Sequence, residues 1–381
     1  MASGLPAFPP PSFPSPPATP PPDPTQQKLG LTPRQALKPS GSLIVVDQFM
    51  PQSYPGMPVE IPHGALVRQS ALDTGFRGNL VNSPTDMAFT PQPLVKRQHE
   101  LMLELAEPNL SPERTRALLA EQAEVGHLAL LHKTTERLEG LTEAGVRNSA
   151  VNFSQGASKA SAVQSAYVNA ISGRQSDNIT RALGVDPDKM FSQDPKVSVP
   201  ERLRLQQGLT DLISKSLDES ARLKESQAKY QRAVQNFEKQ HNSVVVSAGN
   251  EGDVANQLAD ITEGQRIRLP QNWQNNVLVT PEVTSVGALK GNRISSYSNR
   301  DSEVDLYANG DVTLPGQQEV SEGTSFVAPR VAAGMAALHG KYPQLSSAEV
   351  EARLKSQLTK GGSVASLDEE KTRQFLQSQS F

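Results

Sequence analysis

The sequence predicts an α/β protein built on a doubly wound, mostly parallel β-sheet with a disordered, proline-rich N-terminus. Three observations carry this expectation. The run Ser42-Leu43-Ile44-Val45-Val46 is apolar after its first residue, rich in β-branched side chains, and stops at Asp47. Such a run suits a central strand buried on both faces rather than a strand with one wet side. Two further runs, Ser149 to Ser154 and Val244-Val245-Val246, are set apart from it by long stretches of helical periodicity. Strands alternating with helices indicate parallel pairing through crossovers. Finally, the small apolar residues after Gly323-Thr324-Ser325 form a helix slim enough to lie close against a sheet.

Taken in order, residues 1–38 repeat proline too often for a regular element. Each proline fixes φ and removes a donor, and few side chains there could build a core. This segment is expected to be a flexible tail, with a docking or export role as the alternative, and residues 39–381 the folded domain. A loop with Pro51, Pro55 and Pro58 leads from the first strand to Pro62-His63-Gly64. Ala65 to Leu72 then has helical spacing, with Gly75 as its C-cap. Residues 94–145 are strongly helical, with a helix start at Ser111-Pro112-Glu113-Arg114. Residues 157–240 are polar and helical, broken at Gly184-Val185-Asp186-Pro187 and at Asp194-Pro195. Short strands are expected near Val277-Leu278-Val279 and Thr284-Ser285-Val286, a helix from Thr324 to about Tyr342, and a last helix opened by Ser346-Ser347-Ala348-Glu349.

Composition narrows the function. The 37 basic and 40 acidic side chains leave a net charge of −3, so no electrostatic footprint for nucleic acid or an anionic membrane is present. The absence of cysteine excludes disulfides, Cys-ligated zinc and a thiol nucleophile. The N-terminus has neither the basic start nor the unbroken apolar stretch of a Sec signal, and no run of 18 apolar residues could span a bilayer. The default expectation is a soluble cytoplasmic protein without nucleic-acid or membrane partners, with export by another route left open.

The most specific segment runs from Glu322 to Gly334, EGTSFVAPRVAAG. It places Ser325 at the start of a helix, where free amides and the positive helix end favour developing negative charge, and Pro329 in the first turn, where its missing N–H costs least. Gly-Thr-Ser alone would fit an ordinary N-cap; the whole run is far more specific. The run resembles the nucleophile motif of the subtilases, Gly-Thr-Ser-x-Ala-x-Pro-x-Val-Ala-Gly, with Val327 as a departure and one extra alanine before Gly334. That resemblance implies a subtilisin-type fold and a serine endopeptidase acting on polypeptides, with Ser325 as nucleophile.

A serine nucleophile needs a base within reach. Of six histidines, His99, His127 and His132 lie in helical stretches, His339 is several turns past Ser325, and His241 precedes a strand. His63 remains, and His63-Gly64-Ala65-Leu66-Val67 resembles the family's His-Gly-Thr-x-Val box, with Ala65 for Thr. The orienting carboxylate is assigned to Asp47, since functional groups of open α/β sheets collect at the carboxyl ends of strands. Gln48-Phe49 departs from the family's small residue and glycine. Asp73-Thr74-Gly75 spells the family tripeptide, but it follows His63 and ends a helix, and the order Asp, His, Ser favours Asp47.

Ser247-Ala248-Gly249-Asn250-Glu251-Gly252 resembles the family's oxyanion box, which implies a donor role for Asn250. Val151 to Gly156 resembles the strand that pairs with extended substrate, implying Ser154, Gln155 and Gly156 as substrate-binding residues. Ser285 to Ala288, Ser296 to Asn299 and Tyr307 to Gly310 resemble the stretch that follows. The likeness covers about residues 41–354, interrupted by atypical helical insertions at about 94–140 and 157–235. These insertions, or the proline-rich tail, are the candidate surfaces for a protein partner. No globular propeptide is expected. Calcium is implied by the family alone: no dense run of Asp and Asn ligands occurs, and Asp253, Asp301 and Asp305 are the only candidates. The departures at the Asp47 and His63 boxes leave a non-catalytic, peptide-binding relative as the alternative function.

Overall fold

The structure, a computed structural model, describes residues 41–49, 61–85, 91–172, 175–254, 267–300, 304–362 and 364–379. The proline-rich segment 1–38 lies outside the described residues, as does Asp301. The strands are β1 (Leu43–Asp47), β2 (Leu80–Pro84), β3 (Ala150–Phe153), β4 (Ser243–Ser247), β5 (Thr284–Lys290), β6 (Arg293–Ile294), β7 (Leu306–Asn309), β8 (Asp311–Val312), β9 (Ser321–Glu322), β10 (Thr359–Lys360) and β11 (Ser366–Leu367). The helices are α1 (His63–Asp73), α2 (Gln92–Leu105), α3 (Pro112–Glu143), α4 (Lys159–Ser172), α5 (Ser176–Ala182), α6 (Pro187–Met190), α7 (Pro195–Glu219), α8 (Ala221–Glu238), α9 (Val327–Lys341), α10 (Ser347–Gln357) and α11 (Glu369–Gln377).

Among the described residues, nine strands form one sheet in the order β10-β11-β7-β5-β4-β3-β1-β2, with β6 hanging on β5. Every pairing is parallel except β10 with β11 and β5 with β6. Strands β8 and β9 make a separate antiparallel pair. The apolar runs behave as a two-sided strand must. Leu43, Val45, Ala150 and Val245 face a core shared with α1, α9, α10 and α11. Ile44, Val46, Val151, Phe153, Val244 and Val246 face the other core, built with α2 to α8. Successive strand residues point to opposite faces, so a continuous apolar run fills two cores at once.

Local chemistry sets the helix boundaries. Ser111, Asp186 and Asp194 each cap a helix whose first residue is proline, the preferred pairing at an N-terminus. Those caps account for both breaks expected in the polar helical stretch. Ser346 and Glu349 form a reciprocal capping box at α10. Gly75, at φ +89°, ends α1 one residue beyond Thr74, in the left-handed conformation glycine tolerates. Helix α9 is buried all round from Val327 to His339, and a Cβ on Gly334 would sit 3.1 Å from Leu354.

Two parts of the sequence reading need correction. Val277-Leu278-Val279 is not a strand but a turn. Val277 N–H donates to Ala157 O and Leu278 N–H to Asn276 Oδ1, while the Leu278 side chain is fully buried in the helical core. Strand β2, conversely, was not expected: Leu80-Val81-Asn82-Ser83-Pro84 has only two adjacent apolar residues. It forms because β1 offers it a complete register, from Leu43–Leu80 to Asp47–Pro84.

His339 gives the fold an acid weakness. It is fully buried, its Nε2 is hydrogen-bonded with Ser243 Oγ at 2.8 Å, and burial, aided slightly by His241, pushes its pKa down to about 4. A depressed histidine favours the folded state while neutral, so this contribution is full above the ordinary value of 6.5 and is lost as pH falls toward about 4. The urea midpoint should fall through that window. His339→Gln should reduce proton uptake on unfolding there by about one proton, measured from the pH dependence of stability.

Candidate active site

The chain order creates a switch point in the sheet. From β1 the chain moves outward to β2, then returns to β3 on the other side and continues through β4 and β5. Crevices at the carboxyl ends of strands beside such a reversal are where open α/β sheets place functional groups. Asp47 ends β1 there, Ser154 follows β3, and Asn250 lies three residues past β4.

Asp47 is fully buried. Its Oδ1 accepts from Gln48 N–H at 2.7 Å and from His63 Nδ1 at 2.9 Å. A carboxylate only accepts, so Nδ1 carries the ring proton and Nε2 is left as the basic nitrogen. His63 is the first residue of α1. Burial of its ring acts to lower the pKa, but the Asp47 hydrogen bond and charge outweigh it, and the net direction is upward. The close approach explains Gly64. Its N–H donates to Gln48 O at 2.8 Å, and a Cβ there would lie 2.7 Å from that oxygen and 3.0 Å from the Phe49 ring. Gln48 and Phe49, the departures at the Asp47 box, are thus accommodated by the absent side chain of Gly64.

Ser325 sits in the 3₁₀ turn Thr324–Phe326 that leads into α9. The next residue, Phe326, stacks its ring at 5.7 Å from that of His63, which brings the turn beside the imidazole. The Ser325 hydroxyl donates to Ser154 O at 3.0 Å, and Ser154 Oγ donates in return to Ser325 O at 2.7 Å. Among the described residues, no hydrogen bond joins Ser325 Oγ to His63. Asp73, the rival carboxylate, is at the far end of α1, where it accepts from Gln69 Nε2.

Asn250 is held by its oxygen. Oδ1 accepts from both Thr324 N–H and Thr324 Oγ1 at 2.9 Å, leaving Nδ2 without a protein acceptor among the described residues. The preceding Gly249 has φ +112°, and a Cβ there would meet Asn299 Nδ2 and Glu251 Oε2, each at 2.4 Å. Asn299 closes the turn from below: its Nδ2 lies 2.8 Å from Ala248 O, 2.8 Å from Glu251 Oε2 and 2.6 Å from Gln274 O, while its Oδ1 accepts from Glu251 N–H. Burial pushes the Glu251 carboxyl upward against these hydrogen bonds.

Of the segment Ser154-Gln155-Gly156, Ser154 borders Ser325, and the other two residues are engaged elsewhere. Gln155 Oε1 accepts from Lys133 Nζ at 2.6 Å, and Asn276 Nδ2 bridges Gln155 O and Ser247 O at 3.3 and 2.8 Å. Gly156 is exposed, and a Cβ on it would meet Asn276 Nδ2 at 2.5 Å. Thr324, Asn276 and Lys133 received no role from sequence. Thr324 stood in the motif as a neighbour of Ser325, Asn276 preceded the mistaken strand, and nothing marked Lys133 within a long helix.

Among the described residues, no set of side chains fits calcium. No three acidic or histidine side chains among them converge on a metal position. Asp305 is occupied by Ser285 N–H and Lys355. Among the described residues, no helix is long and apolar enough to cross a membrane.

Residues 200–371 match the model of the subtilase family. The matched span holds Asn250, Thr324 and Ser325, and Asp47 and His63 precede it. No curated protein sequence matches the chain. Similar solved structures include a lanthipeptide protease, 14% identical over 88% of this chain and 87% of that one, with a TM-score of 0.42. MycP1, a serine protease and essential component of the type VII (ESX-1) secretion system, is 16% identical over 92% and 87%, with a TM-score of 0.42. A cold-adapted subtilisin-like serine proteinase is 14% identical over 85% and 83%, with a TM-score of 0.40.

Asn299 is buried among three oxygens, so removing its amide strands them. Asn299→Ala should cost about 2–3 kcal/mol, read as a lower urea midpoint at unchanged m-value.

Proposed function

We propose that this chain, a serine endopeptidase of the subtilase family by its match over residues 200–371, cleaves polypeptides with Ser325, His63 and Asp47 as an Asp-His-Ser triad. The observation that carries the reading is the 2.9 Å Asp47–His63 pair beside the Ser325 turn. Substrate lies extended along Ser154 to Gly156, the segment that continues past the carboxyl end of β3, and pairs with its backbone, a mode in which backbone hydrogen bonds supply much of the affinity.

Attack requires the Ser325 hydroxyl to turn from Ser154 O toward His63 Nε2. Hydrogen bonds of this kind are often unformed in free enzymes and tighten with substrate. Oγ then bonds to the scissile carbonyl carbon as its proton passes to Nε2. The carbonyl oxygen, now anionic, is met by Asn250 Nδ2 and the Ser325 backbone N–H. Collapse of the adduct breaks the C–N bond, and His63 returns the proton to the leaving amine. Water, activated by the same imidazole, releases the acyl group. Asp47 remains ionised throughout, holding the tautomer and offsetting the imidazolium charge.

The binding-only alternative is disfavoured, because the departures that motivated it leave the Asp47–His63 hydrogen bond formed. A fluorophosphonate should label the wild-type protein at Ser325 and leave Ser325→Ala unlabelled; labelling that persists in the variant defeats the assignment. The base must be neutral to act, and Asp47 raises the His63 pKa. Activity is therefore lost as pH falls through that raised value. Asp47→Asn should move the acidic limb of kcat/KM to lower pH and reduce kcat by about 10⁴, both read from a pH–rate profile.

A further inference from the structure

Helix α3 brings Lys133 to the segment that borders Ser325. Its ammonium donates to Gln155 Oε1 at 2.6 Å, and Gln155 Nε2 reaches Thr85 Oγ1 at 3.4 Å. Gln155 directly follows Ser154, whose carbonyl receives the Ser325 hydroxyl. Lys133 is half-buried, yet among the described residues it has no carboxylate within ion-pair distance. Lys159, by contrast, pairs with Asp218 at 2.7 Å.

Among the described residues, the groups around Lys133 do not neutralise it. Burial pushes its pKa down, Asp47 acts the other way, and Arg137 adds to the depression. Arg137 lies one turn further along α3 and donates to Pro84 O at 3.0 Å, so two cations of one helix overlook this edge. Asp47 is committed to His63. An ammonium has three protons to donate, and a partly desolvated charge gains most from an anion brought to it.

We propose that Lys133 is a specificity-determining residue that selects an aspartate or glutamate side chain in the substrate segment preceding the scissile bond. The inference rests on the protease reading above, which lays the substrate along Ser154 to Gly156. A carboxylate arriving beside Gln155 completes an ion pair that no described residue supplies. The complement is built into the helical part of the chain, not into the sheet.

The test is a peptide series in which each of the four positions before the scissile bond carries Asp, Asn or Lys in turn. With wild-type protein, Asp at one position should raise kcat/KM about tenfold over Asn. In Lys133→Met the Asp/Asn ratio should fall to about one, and in Lys133→Glu the preference should reverse toward Lys. Each ratio is taken within one protein, so a change in overall rate cancels, and Lys133→Gln substitutes for Lys133→Met if the latter does not fold. Wild-type cleavage with an Asp/Asn ratio near one at every position overturns the inference alone. So does a preference that survives in all the variants. A wild-type protein that cleaves no peptide and takes no fluorophosphonate at Ser325 overturns the protease reading and the inference together.

Discussion

Everything at the candidate site depends on one constraint: β1, β3 and β4 have no polar face. Each must be covered on both sides, and parallel strands can be joined only through long crossovers. The chain therefore leaves the sheet at the same edge each time. Asp47, Ser154 and the Ser247–Asn250 turn are carried to that edge by strands far apart in sequence. Helix α9, buried all round, has its first turn at the same place and delivers Ser325. The convergence comes from the sheet before any polar side chain makes a bond.

The polar bonds then refine what packing has assembled. Thr324 is the joint: its amide and hydroxyl both donate to Asn250 Oδ1, and its hydroxyl accepts from Gly249 N–H at 3.3 Å. The turn before α9 is stitched to β4 by these bonds and to β3 by the paired Ser154–Ser325 bonds. Buried polar groups are costly unless paired, so such an arrangement has little freedom to slide. The same economy leaves Asn250 Nδ2 and His63 Nε2 without protein partners among the described residues, and these are the two atoms the proposed chemistry uses.

Much of this was legible in the sequence where the signal is local. The apolar runs of β1, β3 and β4, the capping residues at Ser111, Asp186, Asp194 and Ser346, and the small-residue helix α9 each state their structure in a few consecutive residues. Asp47 and His63 could be paired by strand position and helix start. What stayed hidden depends on distant partners. Strand β2 is defined by its register with β1 rather than by its own residues. Val277 to Val279 has strand composition, yet hydrogen bonds to Ala157 and Asn276 bend it into a turn. Lys133 is one cation in a helix of 32 residues; only the approach of Gln155 from β3 distinguishes it.

The reciprocal bonds between Ser154 and Ser325 span 171 residues, and those from Asn250 to Thr324 span 74. Closing loops of that length carries an entropic cost that must be met before the contacts repay it, which makes such pairings late events in folding. During synthesis, a chain that has not yet presented α9 can form the Asp47–His63 pair but lacks Ser325 and the Thr324 bonds to Asn250. The arrangement of Asp47, His63, Asn250 and Ser325 is thus a property of the finished molecule. Time order is written into the distance along the chain between Ser154 and Ser325: the site is completed only when α9 has joined the sheet.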